Sequence, residues 1–345
     1  MEVKGFALLH SALPDCPHAA EREGPHAGGP VHTRWRTMSQ AKGIAIAVGN
    51  QKGGVGKTTN AVHLAAALGH GGYRVLLVDL DPAAGATKHL GLPTGSFAGS
   101  LELLTSDERV EALAITDEMP TGVSLIPARP QLAELDTLLS KFADRTRLLE
   151  RPLAEAREQF DFILLDTCPS AAATTTVAAY ASVEWFLISA FPHPLSLGGL
   201  SEALGDIAEV RQHRNPELEV LGVVFSNVDP RATRLRAELE FVVGDALPGR
   251  RFETVITQAV AIPEASGRGR TLFQLPRFQE HRAVLQYMCL AAEIEHRVFN
   301  RPGFLDGTLP PLDVEHLALE RIDKRRRRRG EPADDFDCWS LHSRL

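Results

Sequence analysis

Residues 49–59 read GNQKGGVGKTT, and this stretch decides the fold. Before it, GIAIAVGN alternates Ile44, Ile46 and Val48 with small residues, the pattern of a buried strand ending near Asn50. After it, TTNAVHLAAALGH repeats Val62, Leu64, Ala65 and Leu68 at helical spacing until Gly69, Gly71 and Gly72 stop the helix. Glycines at 53, 54 and 56 let backbone N–H groups converge with no Cβ in the way, and a helix starting near Lys57 aims its positive end at the same point. Such a turn cradles phosphate oxygens: Gly53, Gly54, Val55 and Gly56 supply backbone, and Lys57 reaches the β- and γ-phosphates. The Thr58 hydroxyl takes one Mg²⁺ position and Thr59 contacts the α-phosphate. The standard GxxxxGK[ST] spacing needs glycine at 51, where Gln51 stands, so the match is to the deviant form KGGVGKT that begins at Lys52.

Working outward, apolar runs alternate with helical periods. Strands are expected at RVLLVDLD (74–81), VSLIPA (123–128), FDFILLD (160–166), WFLIS (185–189) and EVLGVVFSN (219–227), with a short one at 252–256. Helices are expected through 100–113 and over 130–143, 148–159, 197–213, 232–244 and 277–299. Near-continuous apolar strands between helices imply a mostly parallel sheet covered on both faces, the three-layer α/β architecture of a P-loop NTPase. Residues 41–300 form that domain in this reading. Residues 1–40, rich in Pro, Gly, His and Ala, are expected to be a disordered extension, with Met38 a second candidate start, and 301–345 a flexible tail.

The 345 residues, 44% hydrophobic and 23% charged, have the composition of an ordinary globular protein and exclude collagen, coiled coil and global disorder. Four scattered cysteines with no CxxC pair support neither a disulfide framework nor a zinc cluster, and point to a cytoplasmic setting. The longest apolar stretch, 177–191, is broken by Glu184, so stable membrane insertion is not expected. The net charge is −7, yet residues 321–330 hold seven Lys/Arg against one Asp.

Two further elements fall in register with the glycine-rich turn. Asp166 ends the strand FILLD, where a carboxylate can hold the Mg²⁺ shell through water. Asp79 and Asp81 end VLLVDLD, and alternate residues of a strand point the same way, so both carboxylates are candidates to face a nucleotide, unless the turn at Pro82 makes one a cap.

With KGGVGKTT (52–59), VLLVDLDP (75–82), FDFILLDTCPS (160–170) and TVITQAVAIPEASGRGRTLF (254–273), the chain resembles the ParA/MinD-type deviant Walker ATPases, and within them the small Soj-like ParA partition proteins. The resemblance covers 44–275. It implies an ATPase using ATP and Mg²⁺, with Lys52 as the signature lysine that reaches the partner's phosphates in an ATP-dependent homodimer. Asp81 matches the aspartate that orients the attacking water, beside Lys57 and the metal. Asn227 matches the residue that reads the adenine edge. The resemblance further implies nucleoid association through non-specific DNA binding, and a ParB-like or other partner that stimulates hydrolysis. Candidate DNA contacts are Arg211, Arg214, Arg231, Arg234, Arg236, Arg268 and Arg270, with the run 324–329 as the densest basic segment, followed by an acidic stretch able to mask it. No helix-turn-helix is expected ahead of the turn.

The chain also departs from the family. Many relatives carry Gln after DxDP, where Ala83 stands, and Pro-Pro after the second aspartate, where Cys168 and Pro169 stand. These departures leave open slower or differently triggered hydrolysis, or a nucleotide-binding module without turnover. A MinD-like membrane-surface ATPase and a metabolic enzyme of the same fold compete with the partition reading. The first needs a basic amphipathic C-terminal helix, for which DCWSLHSRL is short and mixed. The second is a nitrogenase-iron-protein-like reductase or an ATP-dependent ligase, and an iron–sulfur reductase needs paired cysteines that Cys168 and Cys289 do not provide.

Overall fold

The computed structural model describes residues 42–140, 144–170, 173–192, 196–278 and 281–313, without the side chains of 196–198, 234–236 and 239. The expected extension and most of the expected tail, including 324–329, lie outside the described residues.

Six parallel strands form one sheet: β1 Ile44–Gly49, β2 Val75–Asp79, β3 Val123–Ile126, β4 Phe162–Asp166, β5 Trp185–Ala190 and β6 Glu219–Phe225, in the order β3-β2-β4-β1-β5-β6. The long helices are α1 Lys57–His70, α6 Glu150–Gln159, α7 Thr174–Ser182, α8 Ser196–His213, α9 Thr233–Ala246 and α11 Arg282–Phe299. Shorter ones are α2 Gly85–His89, α3 Ser100–Thr105, α4 Val110–Leu113, α5 Leu135–Leu138, α10 Ala261–Ser266 and α12 Arg301–Leu305. Strand alternation divides the core into two slabs. Ala45, Ala47, Leu76, Val78, Ile163 and Leu165 join Leu153 of α6, Ala178 of α7 and Ile207 of α8 on one face. Ile46, Val48, Val75, Leu77, Phe162 and Leu164 join Leu64 and Leu68 of α1 and Leu290 and Ile294 of α11 on the other. The three-layer expectation holds.

Details differ from the sequence reading. The short strand expected at 252–256 is replaced by isolated parallel bridges, Arg251 to Val223 and Thr257 to Val228. The reason is in α11. The buried Glu293 accepts the amides of Glu253 (2.9 Å) and Thr254 (2.7 Å), and Gln286 accepts that of Thr257 (3.1 Å), so side chains take bonds that a sheet ladder would use. Helix α11 begins at Arg282, not 277, because His281 Nδ1 accepts the Ala283 amide as its cap. Helices α2, α7 and α10 add to the expected set. Helix α12 stands where the tail is expected to begin, and its Phe304 packs into the α11 slab.

Candidate functional site

The glycine-rich turn joins β1 to α1 beside the carboxyl ends of β4 and β2, with Val48 opposite Asp166 and Asp79 opposite Asp166 across the ladders. Open parallel sheets bind ligands at this edge. Gly54 (φ +76°) and Gly56 (φ +87°) take left-handed conformations that a side chain would strain, and Gly56 is the N-cap of α1. Gly53 has an ordinary φ, and a Cβ there would meet nothing within 4 Å. The loop is tied down from within: Lys57 Nζ donates to the Lys52 carbonyl (2.9 Å), and the Lys52 amide donates to Asn50 Oδ1 (3.0 Å). Gln51 hydrogen-bonds Asp206 of α8. Lys57 is 7% exposed, and burial lowers its pKa against the opposing pull of Asp166, then Asp81, then Cys168. A partly desolvated ammonium beside a glycine-rich loop is suited to an anion.

The three aspartates have different situations. Asp166 is fully buried, beside the Thr58 hydroxyl and Lys57. Burial first and the facing Asp79 second push its pKa well up, while the Thr58 hydroxyl and Lys57 act against them. Asp79 is also fully buried, but both its oxygens are used: Oδ2 accepts the Thr87 amide (2.8 Å) and hydroxyl (2.7 Å), and Oδ1 accepts the Asp81 amide (3.2 Å). Burial raises its pKa against those bonds. Asp79 therefore holds the first turn of α2, the capping role left open in the sequence for one of the two carboxylates of VLLVDLD. Strand β2 ends at Asp79, so Asp81 lies in the following turn, half-buried, its Oδ1 accepting the Ala83 amide (2.8 Å).

A buried carboxylate and a threonine hydroxyl at a phosphate-type loop offer oxygen ligands to a hard cation. Among the described residues no group of three or more His, Cys, Asp or Glu is placed to hold a metal ion. A cation here would take its remaining ligands from water and phosphate oxygens, as Mg²⁺ does. The residues fit that ion.

The remaining expected residues are placed as follows. Thr59 is half-buried on the first turn of α1, its carbonyl facing His63 Nδ1 at 3.0 Å. Asn227 follows β6, exposed and left-handed (φ +56°), a conformation asparagine tolerates. Cys168 is buried, its sulfur 3.3 Å from the Thr176 hydroxyl. Of the arginines, Arg211 pairs with Glu219, Arg231 with Asp229, Arg268 with Glu264 and Arg270 with Glu118. Arg214 is exposed, and the side chains of Arg234 and Arg236 lie outside the described residues.

The sequence reading missed the floor of the site. Asn60, Ser189, Ser226 and Tyr287 are buried and hydrogen-bonded together behind the loop. A hint existed in Asn60, a polar residue inside the apolar run of α1. Gly85 was missed too: a Cβ there would lie 3.0 Å from the Thr58 hydroxyl.

The chain is similar to known proteins. A family model described as an AAA domain matches residues 43–220. The chromosome-partitioning ATPase Soj of Thermus thermophilus is 37% identical over 240 residues, covering 69% of this chain and 90% of that protein. The sporulation initiation inhibitor protein Soj of Bacillus subtilis is 32% identical over 253 residues, 73% of this chain and 98% of that protein. Among solved structures, cobyrinic acid a,c-diamide synthase from Mycobacterium smegmatis, with bound ATP analogue and magnesium, superposes with a TM-score of 0.63 at 28% identity, covering 75% of this chain and 97% of that one. The family model spans more than half of the chain and the Soj proteins match over most of their length, so the chain belongs to the ParA/MinD-type family of deviant P-loop ATPases.

Proposed function

We propose that the protein is an ATP-dependent segregation or cargo-positioning ATPase, which binds ATP with Mg²⁺, pairs with a second copy in that state, and then binds DNA without sequence preference. The observation that carries this reading is Asp166, a fully buried carboxylate beside Thr58 and Lys57 at the glycine-rich loop. The relatives named chromosome-partitioning ATPase direct it to segregation.

In this mechanism the loop N–H groups from Gly53 to Thr58 and the Lys57 ammonium bind the phosphates. When bound, the cation neutralises phosphate charge. Asp166 and Thr58 hold its shell, directly or through water. Asp81, fixed by the Ala83 amide, orients the attacking water, and Lys52 contacts the phosphates held by the second copy. Asn227, exposed beyond β6, meets the adenine edge. Phosphoryl transfer needs mostly such positioning and charge stabilisation. A stimulating partner protein and slow intrinsic hydrolysis complete the reading. Among the described residues no helix is long and apolar enough to cross a membrane.

The described arginines that face carboxylates make the expected DNA affinity modest and salt-sensitive. The test is binding to arbitrary duplex DNA with ATP, ADP or no nucleotide at two salt concentrations, alongside Lys52→Ala. Binding that requires ATP, weakens with salt and is lost in the variant is the expected result. No ATP-dependent binding at low salt overturns the DNA-riding part and leaves the ATPase to be assayed alone.

A further inference from the structure

The phosphate loop is held from behind by a chain of hydrogen bonds whose direction can be deduced. The Val55 carbonyl can only accept, so the Ser189 hydroxyl, 2.7 Å away, donates its single proton to it. Ser189 Oγ must then accept from Asn60, 2.8 Å away, which identifies the facing Asn60 atom as Nδ2. The second Nδ2 hydrogen goes to the Ser226 hydroxyl (2.7 Å), and Asn60 Oδ1 accepts from the Tyr287 hydroxyl (3.0 Å). Each of these residues is at most 3% exposed. Ser189 is also a hub through its backbone: its carbonyl accepts from Asn50 Nδ2 (2.8 Å), and Asn50 Oδ1 accepts the Lys52 amide (3.0 Å). One residue of β5 thus fixes the loop at Val55 and, through Asn50, at Lys52.

The consequence lies in the Val55–Gly56 peptide plane. In a planar trans peptide the C=O and N–H point in opposite directions. With the Val55 carbonyl drawn into the protein by Ser189, the Gly56 N–H is turned to the opposite, open side of the loop. If this peptide flipped, a carbonyl would face a bound anion where a donor is needed. We infer that Ser189 and Asn60 are positioning residues for nucleotide binding, which hold the Val55–Gly56 peptide with its donor outward, and that Tyr287 of α11 sets the direction of the chain. This inference rests on reading the loop as the phosphate site. It assigns a role to residues from β5, α1 and α11 that touch no phosphate.

The test compares Mg·ADP affinity by titration calorimetry for the wild type, Ser189→Ala, Ser189→Thr and Tyr287→Phe, together with the melting temperature of each nucleotide-free protein. Ser189→Ala is expected to weaken ADP by about tenfold, the loss of one buried hydrogen bond's worth of orientation. Ser189→Thr, which keeps the hydroxyl, restores most of it, and Tyr287→Phe, one bond further away, loses about threefold. A general structural role would lower the melting temperature of Ser189→Ala while leaving the ADP affinity of the folded protein unchanged. A folded Ser189→Ala that binds ADP like the wild type, or a threonine variant as weak as the alanine one, overturns the inference. Should Ser189→Ala not fold, Tyr287→Phe decides: wild-type affinity in that variant overturns it. A wild type that binds no nucleotide overturns the phosphate-site reading and this inference with it, whereas a binding wild type with indifferent variants overturns this inference alone.

Discussion

Replacing Asp166 by asparagine tests the cation site with two readouts of opposite sign. In the nucleotide-free protein the Asp166 carboxylate is fully buried and opposite Asp79 in the ladder. A buried unsatisfied polar group costs about 1–3 kcal/mol, more when charged. Asp166→Asn removes the buried charge and the repulsion from Asp79, the two larger influences, at the cost of the smaller Lys57 attraction, so the variant should be more stable by about 1–3 kcal/mol, which raises the melting temperature by roughly 2–12 °C. Saturating Mg·ADP reverses the order. At a thousandfold excess over its dissociation constant a ligand stabilises by about 4 kcal/mol, and the wild type should gain this while the variant gains much less. Melts at pH 8 in EDTA and in Mg·ADP measure both. The EDTA gap should narrow at low pH. The Asp166 pKa is raised in the fold, so the wild type keeps that stability while the group is protonated and loses it as pH rises through the folded value. An asparagine variant that melts below the wild type in EDTA, or gains as much from Mg·ADP, would refute the reasoning.

Three other perturbations follow from the same contacts. Gly85→Ala puts a Cβ 3.0 Å from the Thr58 hydroxyl, and should weaken Mg-dependent nucleotide affinity about threefold or more while Gly53→Ala, with open space around it, leaves stability within about 1 kcal/mol; titration and melting of both variants check this. His63 is fully buried and stacked on Tyr287, and burial lowers its pKa from 6.5 to about 3. The stability from keeping it neutral is present above its unfolded pKa and lost as pH falls towards the folded value. Between neutral pH and pH 5 the wild type should therefore lose about 2 kcal/mol more than His63→Phe; the difference between the two denaturant titrations is the measurement, because the raised carboxyls of Asp79 and Asp166 shift both proteins the other way. Glu293→Ala frees the amides of Glu253 and Thr254 and removes the carboxylate 3.8 Å from the buried Arg297; a loss of about 3–5 kcal/mol and faster proteolysis at 250–257 are expected, and an unchanged denaturation midpoint would argue against this anchor.

How much was legible follows from how local each signal was. The six strands were readable because both faces of a parallel sheet are buried, and runs such as ILL at 163–165 show it without reference to neighbours. The same apolar character at 252–256 misled, since whether a segment joins a ladder depends on where its amides go, and here they go to Glu293 and Gln286 about 30–40 residues later. Helix α7 was missed because TTTVAAYAS has no one-sided period: Thr174, Thr175 and Thr176 are buried with Ala178 and Ala179. The phosphate loop was legible because its glycines, lysine and threonine are adjacent in sequence. Its floor was not, because Asn60 meets Ser189, Ser226 and Tyr287 across 129, 166 and 227 residues.

The aspartate pair shows where a sound rule reached its boundary. Alternation puts residues i and i+2 on one side only while the chain is extended, and β2 ends at Asp79. Beyond it the backbone turns through Pro82 and a left-handed Ala84 (φ +54°) into α2. Asp79 is then consumed by Thr87, whose hydroxyl oxygen also accepts the Ala128 amide (2.9 Å), tying β2, α2 and the end of β3 together. Asp81 is left half-buried beside the loop, with the Ala83 backbone amide as its anchor. That geometry bears on the departure at position 83. The contact that fixes Asp81 uses a backbone N–H, which alanine supplies as well as glutamine does, so losing the glutamine side chain leaves the placement of Asp81 intact. Any effect of Ala83 on turnover must then arise around the water itself, and it should be seen in the rate of hydrolysis with nucleotide affinity unchanged.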